Sequence, residues 1–218
     1  MTEFITRVIT AFVLGSCFWI SFIYLSPIYF SCLLVGVLFI IMLFEWSRFF
    51  PFRRITFWLL WPFYPVLPFA LLIYLNQHPL YHNLLLELFL LVASFDSGSY
   101  IVGRLFGKHR IAPTISPGKT WEGAVGGYIF AVIGLSFLVR YEQGKMIAWW
   151  IILGFTLIIC VLSFFGDLFE SWLKRRAHIK HSGTMLPGHG GFLDRFDGIL
   201  FVVFFFFLFR DQLVALFG

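Results

Sequence analysis

The chain has 218 residues, of which 60% are hydrophobic, 22% aromatic and 12% charged, and its mean hydropathy is +0.90. Soluble domains carry about 25% charged residues, so this composition excludes an ordinary soluble domain and predicts an integral membrane protein. The formal net charge of +5 must first be divided between the two faces of a membrane, and it therefore does not predict a nucleic-acid partner.

Apolar runs along the chain predict an all-α polytopic membrane protein with about seven transmembrane helices. The predicted spans are residues 8–25, 28–44, 57–75, 80–95, 123–139, 147–165 and 198–217. Pro62, Pro65 and Pro68 lie in the third run and predict a kinked or broken helix there. Arg210 and Asp211 lie in the last run and belong near a membrane interface.

The basic residues predict the orientation in the membrane. With seven spans, thirteen Lys and Arg residues fall on the face that includes the N-terminus, and three fall on the other face. The positive-inside rule makes the thirteen-charge face cytoplasmic. Eight of the 11 acidic residues lie on that same face, although carboxylates do not set topology. Their concentration predicts a polar site at the cytoplasmic side.

A polar segment, residues 96–123, follows the fourth predicted span. It combines glycines and hydroxyls with the basic side chains of Arg104, Lys108 and Lys119, a composition that suits a polyphosphate. Asp96 ends the fourth predicted span, where it is either a further carboxylate for the site or a helix cap.

A second polar segment follows the sixth predicted span. Its polar residues are spaced so that they share one face of a helix, which predicts that the span continues as an amphipathic helix. These residues are Asp167, Glu170, Ser171, Lys174 and His178. The alternative is a solvated helix end with Glu–Lys pairs, and the spacing alone leaves the two interpretations open.

A glycine-rich loop, residues 186–193, precedes the last predicted span. Such a loop can bring backbone N–H groups, here those of Gly190 and Gly191, close to an anion at a helix N-terminus. The segment lacks the GxxxxGK[ST] spacing of a Walker A loop.

Two carboxylates follow that loop. Asp194 and Asp197 are one helical turn apart, so both can point the same way at the membrane boundary. Unpaired carboxylates are unfavourable there, and a divalent cation would offset that free energy. Capping of the helix by acids is the alternative. It explains one aspartate well, but it explains two aspartates beside Arg195 and His189 less well.

The polar segments resemble a known family. Residues 171–197, SWLKRRAHIKHSGTMLPGHGGFLDRFD, are similar to the signature of the phosphatidate cytidylyltransferases, also called CDP-diacylglycerol synthases. The segments 96–100 (DSGSY), 103–108 (GRLFGK), 112–123 (APTISPGKTWEG) and 166–171 (GDLFES) also resemble that family. The chain departs from the family at His181, where an aspartate is usual, and at Gly118, where a second lysine is common.

The resemblance implies an enzyme that joins CTP to phosphatidic acid and releases CDP-diacylglycerol and pyrophosphate. It implies catalytic roles for Asp167, Lys174, Asp194 and Asp197, with Mg²⁺ on the three aspartates and a second cation left open. The substrate-binding residues that it implies are Asp96, Arg104, Ser116, Lys119, Glu170, Ser171, Arg175, Lys180, His189, Gly190, Gly191 and Arg195. The cations expected to bind the triphosphate are Lys119, Lys174, Arg175 and Lys180, whereas Arg104 or Arg195 is expected to guide the lipid phosphate.

The same resemblance sets expectations for partners and location. We expect CTP, phosphatidic acid and the lipid bilayer as partners, no nucleic acid, and an oligomeric state that stays open, a homodimer included. We expect a bacterial inner-membrane protein whose active site faces the cytoplasm. One membrane domain is predicted, with N-terminal helices in residues 1–90 and a catalytic region in residues 91–218.

Two other functions fit the same residues. A related enzyme could use CTP on a different lipid phosphate, such as a polyprenyl or archaeal-type phosphate, because no feature of the sequence indicates which acyl chains are recognised. A non-catalytic cation-binding membrane protein could hold the same acids. Offering different lipid phosphates with labelled CTP discriminates the first alternative, and the release of pyrophosphate discriminates the second.

Overall fold

A computed structural model describes residues 13, 15–50, 55–143, 147–183, 185–186 and 190–217. Several predictions fall on residues outside these ranges. They concern the start of the first span, the basic residues Arg53 and Lys145, and the candidate substrate-binding residue His189.

The described chain consists of helices and one β-hairpin. In chain order the helices are α1 (Gly15–Tyr24), α2 (Pro27–Ile40), α3 (Trp46–Phe49), α4 (Ile55–Leu60), α5 (Leu67–Gln77), α6 (His82–Phe106), α7 (Trp121–Gln143), α8 (Trp149–Arg176), α9 (Leu193–Leu208) and α10 (Arg210–Phe217). π-Helical turns at Ile41–Glu45 and Pro62–Val66 continue α2 into α3 and α4 into α5. Strands β1 (Arg110–Ala112) and β2 (Ser116–Thr120) pair antiparallel, with Arg110 opposite Thr120 and Ala112 opposite Ser116.

Five helical segments of the described chain are long and apolar enough to cross a membrane. They are Pro27–Phe49, Ile55–Gln77, His82–Phe106, Trp121–Arg140 and Trp149–Arg176. The bent pair α9 and α10 gives up to six if it is counted as one span. The all-α polytopic membrane fold is therefore confirmed, whereas the number seven stays a prediction because the first run lies partly outside the described residues.

The fourth predicted span ends too early. Helix α6 continues to Phe106, so Asp96 lies inside the helix and the interpretation of Asp96 as a cap is wrong. Close packing against α7 explains how this polar stretch stays helical. A Cβ atom on Gly98 would lie 2.7 Å from the Phe130 side chain, and one on Gly127 would lie 2.5 Å from the Phe95 carbonyl. The predicted loop after Asp96 is therefore the last turns of α6 followed by the hairpin.

The two irregular spans have distinct causes. The predicted break in the third run is confirmed, since Tyr64 leaves the helical conformation among the prolines, which donate no N–H group. The last run was expected to be one span, but α9 and α10 meet at 84°. Beside this bend, the Arg210 guanidinium donates to the Phe207 carbonyl at 2.8 Å, and the Tyr81 hydroxyl donates to Asp211 at 2.6 Å. The hydrogen bond to Asp211, together with burial, raises the pKa of Tyr81.

The chain divides into two compact units. The first contains residues 1–78 and 173–197, and the second contains residues 79–172 and 198–218. In the first unit, Asn76 on α5 donates to Ser31 at 2.8 Å and to the Pro27 carbonyl at 2.6 Å, and these bonds fix α5 against α2. In the second unit, α6 and α7 pack through the glycine contacts described above. Apolar burial stabilises each unit. Each unit also contains a cluster of the predicted polar residues.

Candidate functional site

The cluster in the first unit is centred on Asp194, at the start of α9. One of its carboxylate oxygens accepts a hydrogen bond from Lys174 Nζ at 2.7 Å. The other oxygen accepts from the backbone N–H groups of Ser182 at 3.1 Å and Gly191 at 2.9 Å. Both side chains of the ion pair are largely buried, with 14% of Lys174 and 5% of Asp194 exposed. Charged hydrogen bonds in such surroundings are strong, so this pair is a fixed element of the site.

Glycine is required twice in the loop that leads to Asp194. Gly190 has a φ of +82°, a conformation that other residues rarely adopt, and a Cβ atom there would lie 2.3 Å from an Asp194 carboxylate oxygen. A Cβ atom on Gly191 would lie 2.1 Å from the Ser182 hydroxyl. The two glycines therefore let the backbone close around the Asp194 carboxylate. The Gly191 amide, which we expected to bind a phosphate, donates to Asp194 in this arrangement.

A buried glutamate that the sequence did not single out also contacts this loop. Glu45 accepts hydrogen bonds from the Ser182 hydroxyl at 2.9 Å and from the backbone N–H groups of Phe192 at 2.7 Å and Leu193 at 2.9 Å. The signal in the sequence was an acid directly after an apolar run. Its partners lie more than 130 residues further along the chain, so no local pattern could identify them.

The cluster in the second unit pairs Lys119 of β2 with Asp167 of α8. The Lys119 ammonium donates to the Asp167 carboxylate and lies 4.5 Å from the centre of the Phe164 ring. The aromatic face and the carboxylate both attract the cation, which keeps it in place on the hairpin. Both members of the pair are partly accessible to solvent. The sequence predicted a role for each residue but did not predict that they contact one another.

The hairpin is itself tied to α7 by Glu122. That carboxylate lies 2.6 Å from the His109 ring nitrogen and accepts hydrogen bonds from the backbone N–H groups of Lys108 at 3.1 Å and His109 at 3.2 Å. The Thr120 hydroxyl oxygen also accepts a hydrogen bond from the Gly123 N–H at 3.1 Å. These contacts set the position of β2 and hence of Lys119.

The predicted polar helix face after the sixth span, which we call the polar stripe, is confirmed in part. Helix α8 contains Asp167, Glu170, Ser171 and Lys174, but it ends at Arg176, and His178 beyond it has a φ of 57°. His178 therefore does not extend the stripe, because its left-handed conformation terminates the helix.

The other predicted residues differ in exposure. Among those in the described ranges, the exposed side chains are Asp96, Arg104, Arg175, Lys180 and Arg195. Glu170 and Asp197 are buried, whereas Ser116 and Ser171 are half-buried. Arg104 donates to the Tyr100 hydroxyl at 2.8 Å, one helical turn away on α6. Exposed cations can receive an anion directly, whereas the buried acids act within the protein interior.

The predicted Mg²⁺ site on Asp167, Asp194 and Asp197 stays a prediction. No group of three His, Cys, Asp or Glu side chains lies close enough together in them to hold a metal ion. Asp194 already accepts from one lysine and two amides, and Asp167 already accepts from Lys119. Carboxylates suit Mg²⁺ chemically, and the ion would have to replace the lysine contacts that Asp167 and Asp194 make in this arrangement.

The fold and these clusters define a polytopic membrane protein with two lysine–aspartate pairs, Lys174–Asp194 and Lys119–Asp167. A sequence profile of the cytidylyltransferase family matches residues 47–213. The chain therefore belongs to the cytidylyltransferase family. The matched region contains the residues of both lysine–aspartate pairs.

Several individual proteins that match this chain are named phosphatidate cytidylyltransferase. The chain is 42% identical over 134 residues to a phosphatidate cytidylyltransferase of Haemophilus influenzae, a match that covers 59% of this chain and 46% of the relative. It is 48% identical over 115 residues to the phosphatidate cytidylyltransferase of Staphylococcus saprophyticus, covering 53% of this chain and 44% of the relative. A phosphatidate cytidylyltransferase of Staphylococcus aureus is 44% identical over 119 residues. The match spans a little under half the length of these relatives.

Proposed function

We propose that this protein transfers the cytidylyl group of CTP to phosphatidic acid, giving CDP-diacylglycerol and pyrophosphate. The observation that carries the proposal is the Lys174–Asp194 pair, in which the ammonium of α8 donates at 2.7 Å to the carboxylate of α9. Both residues belong to the segment 171–197, whose sequence resembles the family signature. Relatives named phosphatidate cytidylyltransferase support the same reaction.

The proposed reaction is a phosphoryl-type substitution. A phosphate oxygen of phosphatidic acid forms a bond to the α-phosphorus of CTP, the bond from that phosphorus to the bridging oxygen of the β-phosphate breaks, and pyrophosphate leaves with that oxygen. The attacking lipid phosphate is already an anion, so no strong base is needed. The work of the protein is to align two anions and to neutralise the charge that develops.

Lysine side chains are the proposed source of that neutralisation. Lys119 and Lys174 each lie against an aspartate, so each cation has a fixed position before an anion arrives. A triphosphate can take over part of this contact because it carries more negative charge than a carboxylate. The exposed cations Arg175 and Lys180 are proposed to add to the attraction for CTP, and Arg104 or Arg195 to guide the lipid phosphate.

Mg²⁺ stays a proposed requirement. Its binding to Asp167 or Asp194 would need a lysine to leave the carboxylate, so we derive no step through the metal. Removal of divalent cations with EDTA should abolish CTP-dependent turnover, and Mg²⁺ should restore it. Full activity in EDTA would show that the lysines alone neutralise the triphosphate.

The proposed location is the bacterial inner membrane, with the polar clusters facing the cytoplasm. The uneven distribution of Lys and Arg supports this orientation. Single cysteines at positions 53, 108 and 174 should resist a membrane-impermeant thiol reagent in intact cells, whereas a cysteine at 145 should react. The native cysteines are replaced beforehand, and permeabilised cells provide the control in which all four positions are accessible. Labelling at 108 or 174 in intact cells would reverse the orientation.

A substrate panel tests the proposed function. Purified protein in detergent is given CTP with phosphatidic acid, with a polyprenyl phosphate or with no lipid, and pyrophosphate release is measured. We expect pyrophosphate release only in the reaction that contains both CTP and phosphatidic acid. Release with polyprenyl phosphate instead would identify a different lipid substrate, and no release with any lipid would favour a non-catalytic membrane protein.

A further inference from the structure

Glu45 lies in an unusual place for a carboxylate. It is the last residue of the π-helical turn Ile41–Glu45, directly after a long apolar helix, and it is fully buried. It also precedes residues 47–213, which the family profile matches. A carboxylate is costly to bury unless its oxygens accept hydrogen bonds, so its partners indicate why it is there.

Both Glu45 oxygens have partners on the loop that leads into α9. Oε1 accepts from the Phe192 N–H at 2.7 Å, and Oε2 accepts from the Leu193 N–H at 2.9 Å and from the Ser182 hydroxyl at 2.9 Å. The first amides of a helix have no partner within the helix, so Glu45 satisfies two donors that would otherwise be left without one. One side chain thus binds both ends of the segment 182–193.

The backbone fits closely around this carboxylate. A Cβ atom on Gly191 would lie 2.5 Å from Glu45 Oε2, and one on Gly183 would lie 3.1 Å from Oε1. The loop therefore has no room for a side chain at Gly191, and the glycine lets the backbone reach the glutamate. The contact between Glu45 and the loop is therefore made by hydrogen bonds to a carboxylate rather than by apolar packing.

Asp194 binds the same segment through different amides. It accepts from the N–H groups of Ser182 and Gly191, while Glu45 takes the Ser182 hydroxyl and the next two amides. The backbone that holds Asp194 is thus fixed by Glu45, and Asp194 in turn fixes Lys174. We propose that Glu45 is a positioning residue that sets the Asp194–Lys174 pair for cytidylyl transfer, an inference that rests on the proposed function.

Glu45→Gln is the informative variant because it removes only one acceptor. Whichever way the new amide is oriented, its NH₂ group faces a backbone N–H, that of Phe192 or that of Leu193, and two donors oppose each other. We expect kcat to fall about 10- to 100-fold, with a smaller change in the KM for CTP. Glu45→Asp keeps two acceptor oxygens on a shorter side chain and should recover part of kcat.

Glu87→Gln is the matched control, since Glu87 is a buried glutamate within an apolar helix of the second unit. It should leave kcat unchanged. If Glu45 were only a buried acid, a neutral glutamine would be easier to bury and Glu45→Gln would be the better-tolerated variant. The order wild type, then Asp, then Gln is therefore what a positioning role predicts.

A second measurement does not depend on catalysis. In detergent, hydrogen–deuterium exchange of peptides covering residues 190–196 should be faster in Glu45→Gln than in wild type, and unchanged in Glu87→Gln. Wild-type kcat in Glu45→Gln, or a loss explained entirely by a smaller folded fraction, would overturn the inference. If wild type itself makes no product, the proposed function fails, and the exchange difference still reports separately whether Glu45 holds the loop.

Discussion

Asp194→Asn should reduce turnover about 1,000-fold or more, because it removes one partner of a buried ion pair and leaves the other in place. In the structure the two Asp194 oxygens accept from Lys174 Nζ and from the amides of Ser182 and Gly191. An asparagine must turn its NH₂ group towards either the ammonium or the amides, so one set of contacts is lost. The measurement is kcat of purified protein, together with its thermal midpoint in detergent.

Asp197→Asn is expected to be similarly inactive, since Asp197 is buried on the same helix, one turn further along. Asp211→Asn serves as the control. Asp211 accepts a hydrogen bond from Tyr81, a contact that an asparagine oxygen can also accept, and it should keep near-normal activity. Near-normal turnover in Asp194→Asn or Asp197→Asn at ordinary Mg²⁺ would show that these acids only cap α9.

Lys174→Ala should lower kcat/KM for CTP. The expected loss of transition-state stabilisation is about 2–4 kcal/mol, the range for a group that stabilises developing charge in a dry site. This corresponds to a loss of roughly 30- to 1,000-fold. The KM for CTP should rise, whereas the KM for phosphatidic acid should change little. If Lys174 also stabilises the leaving pyrophosphate, kcat should fall as well. Initial rates with each substrate varied in turn separate these effects.

Two further variants control the Lys174 result. Lys174→Arg keeps the charge but changes its shape, so part of the activity should return. Arg176→Ala removes an exposed cation from the last turn of the same helix and should have a small effect. A Lys174→Ala variant that weakens only the apparent affinity for the lipid would assign Lys174 to the lipid headgroup instead of the triphosphate.

Apolar runs predicted the membrane helices well because hydrocarbon requires long apolar segments whose backbone hydrogen bonds are internal. The apolar runs did not predict the end of a helix correctly where that helix continues with polar residues. Helix α6 continues past Asp96 to Phe106 because it packs against α7 through glycines, a tertiary contact that hydropathy does not report. The bend between α9 and α10 was signalled by Arg210 and Asp211, but its angle depends on contacts that the sequence does not reveal.

For the candidate site, the sequence predicts individual residues but not the contacts between them. Residue type and resemblance identified Lys119, Asp167, Lys174 and Asp194, yet not the two pairs that they form. Those pairs join residues 48 and 20 positions apart, and only the folded chain brings them together. Glu45 was missed for the same reason, since its role is defined entirely by the distant amides that it binds.

The most direct test of cytidylyl transfer follows the two ends of CTP separately. Purified protein is incubated with phosphatidic acid and either [α-³²P]CTP or [γ-³²P]CTP, and organic and aqueous phases are counted. The proposed reaction predicts that the α label enters the lipid phase, that the γ label appears in pyrophosphate, and that both appear at equal rates. Label from the γ position in the lipid, or pyrophosphate release with no α label in the lipid, would contradict it.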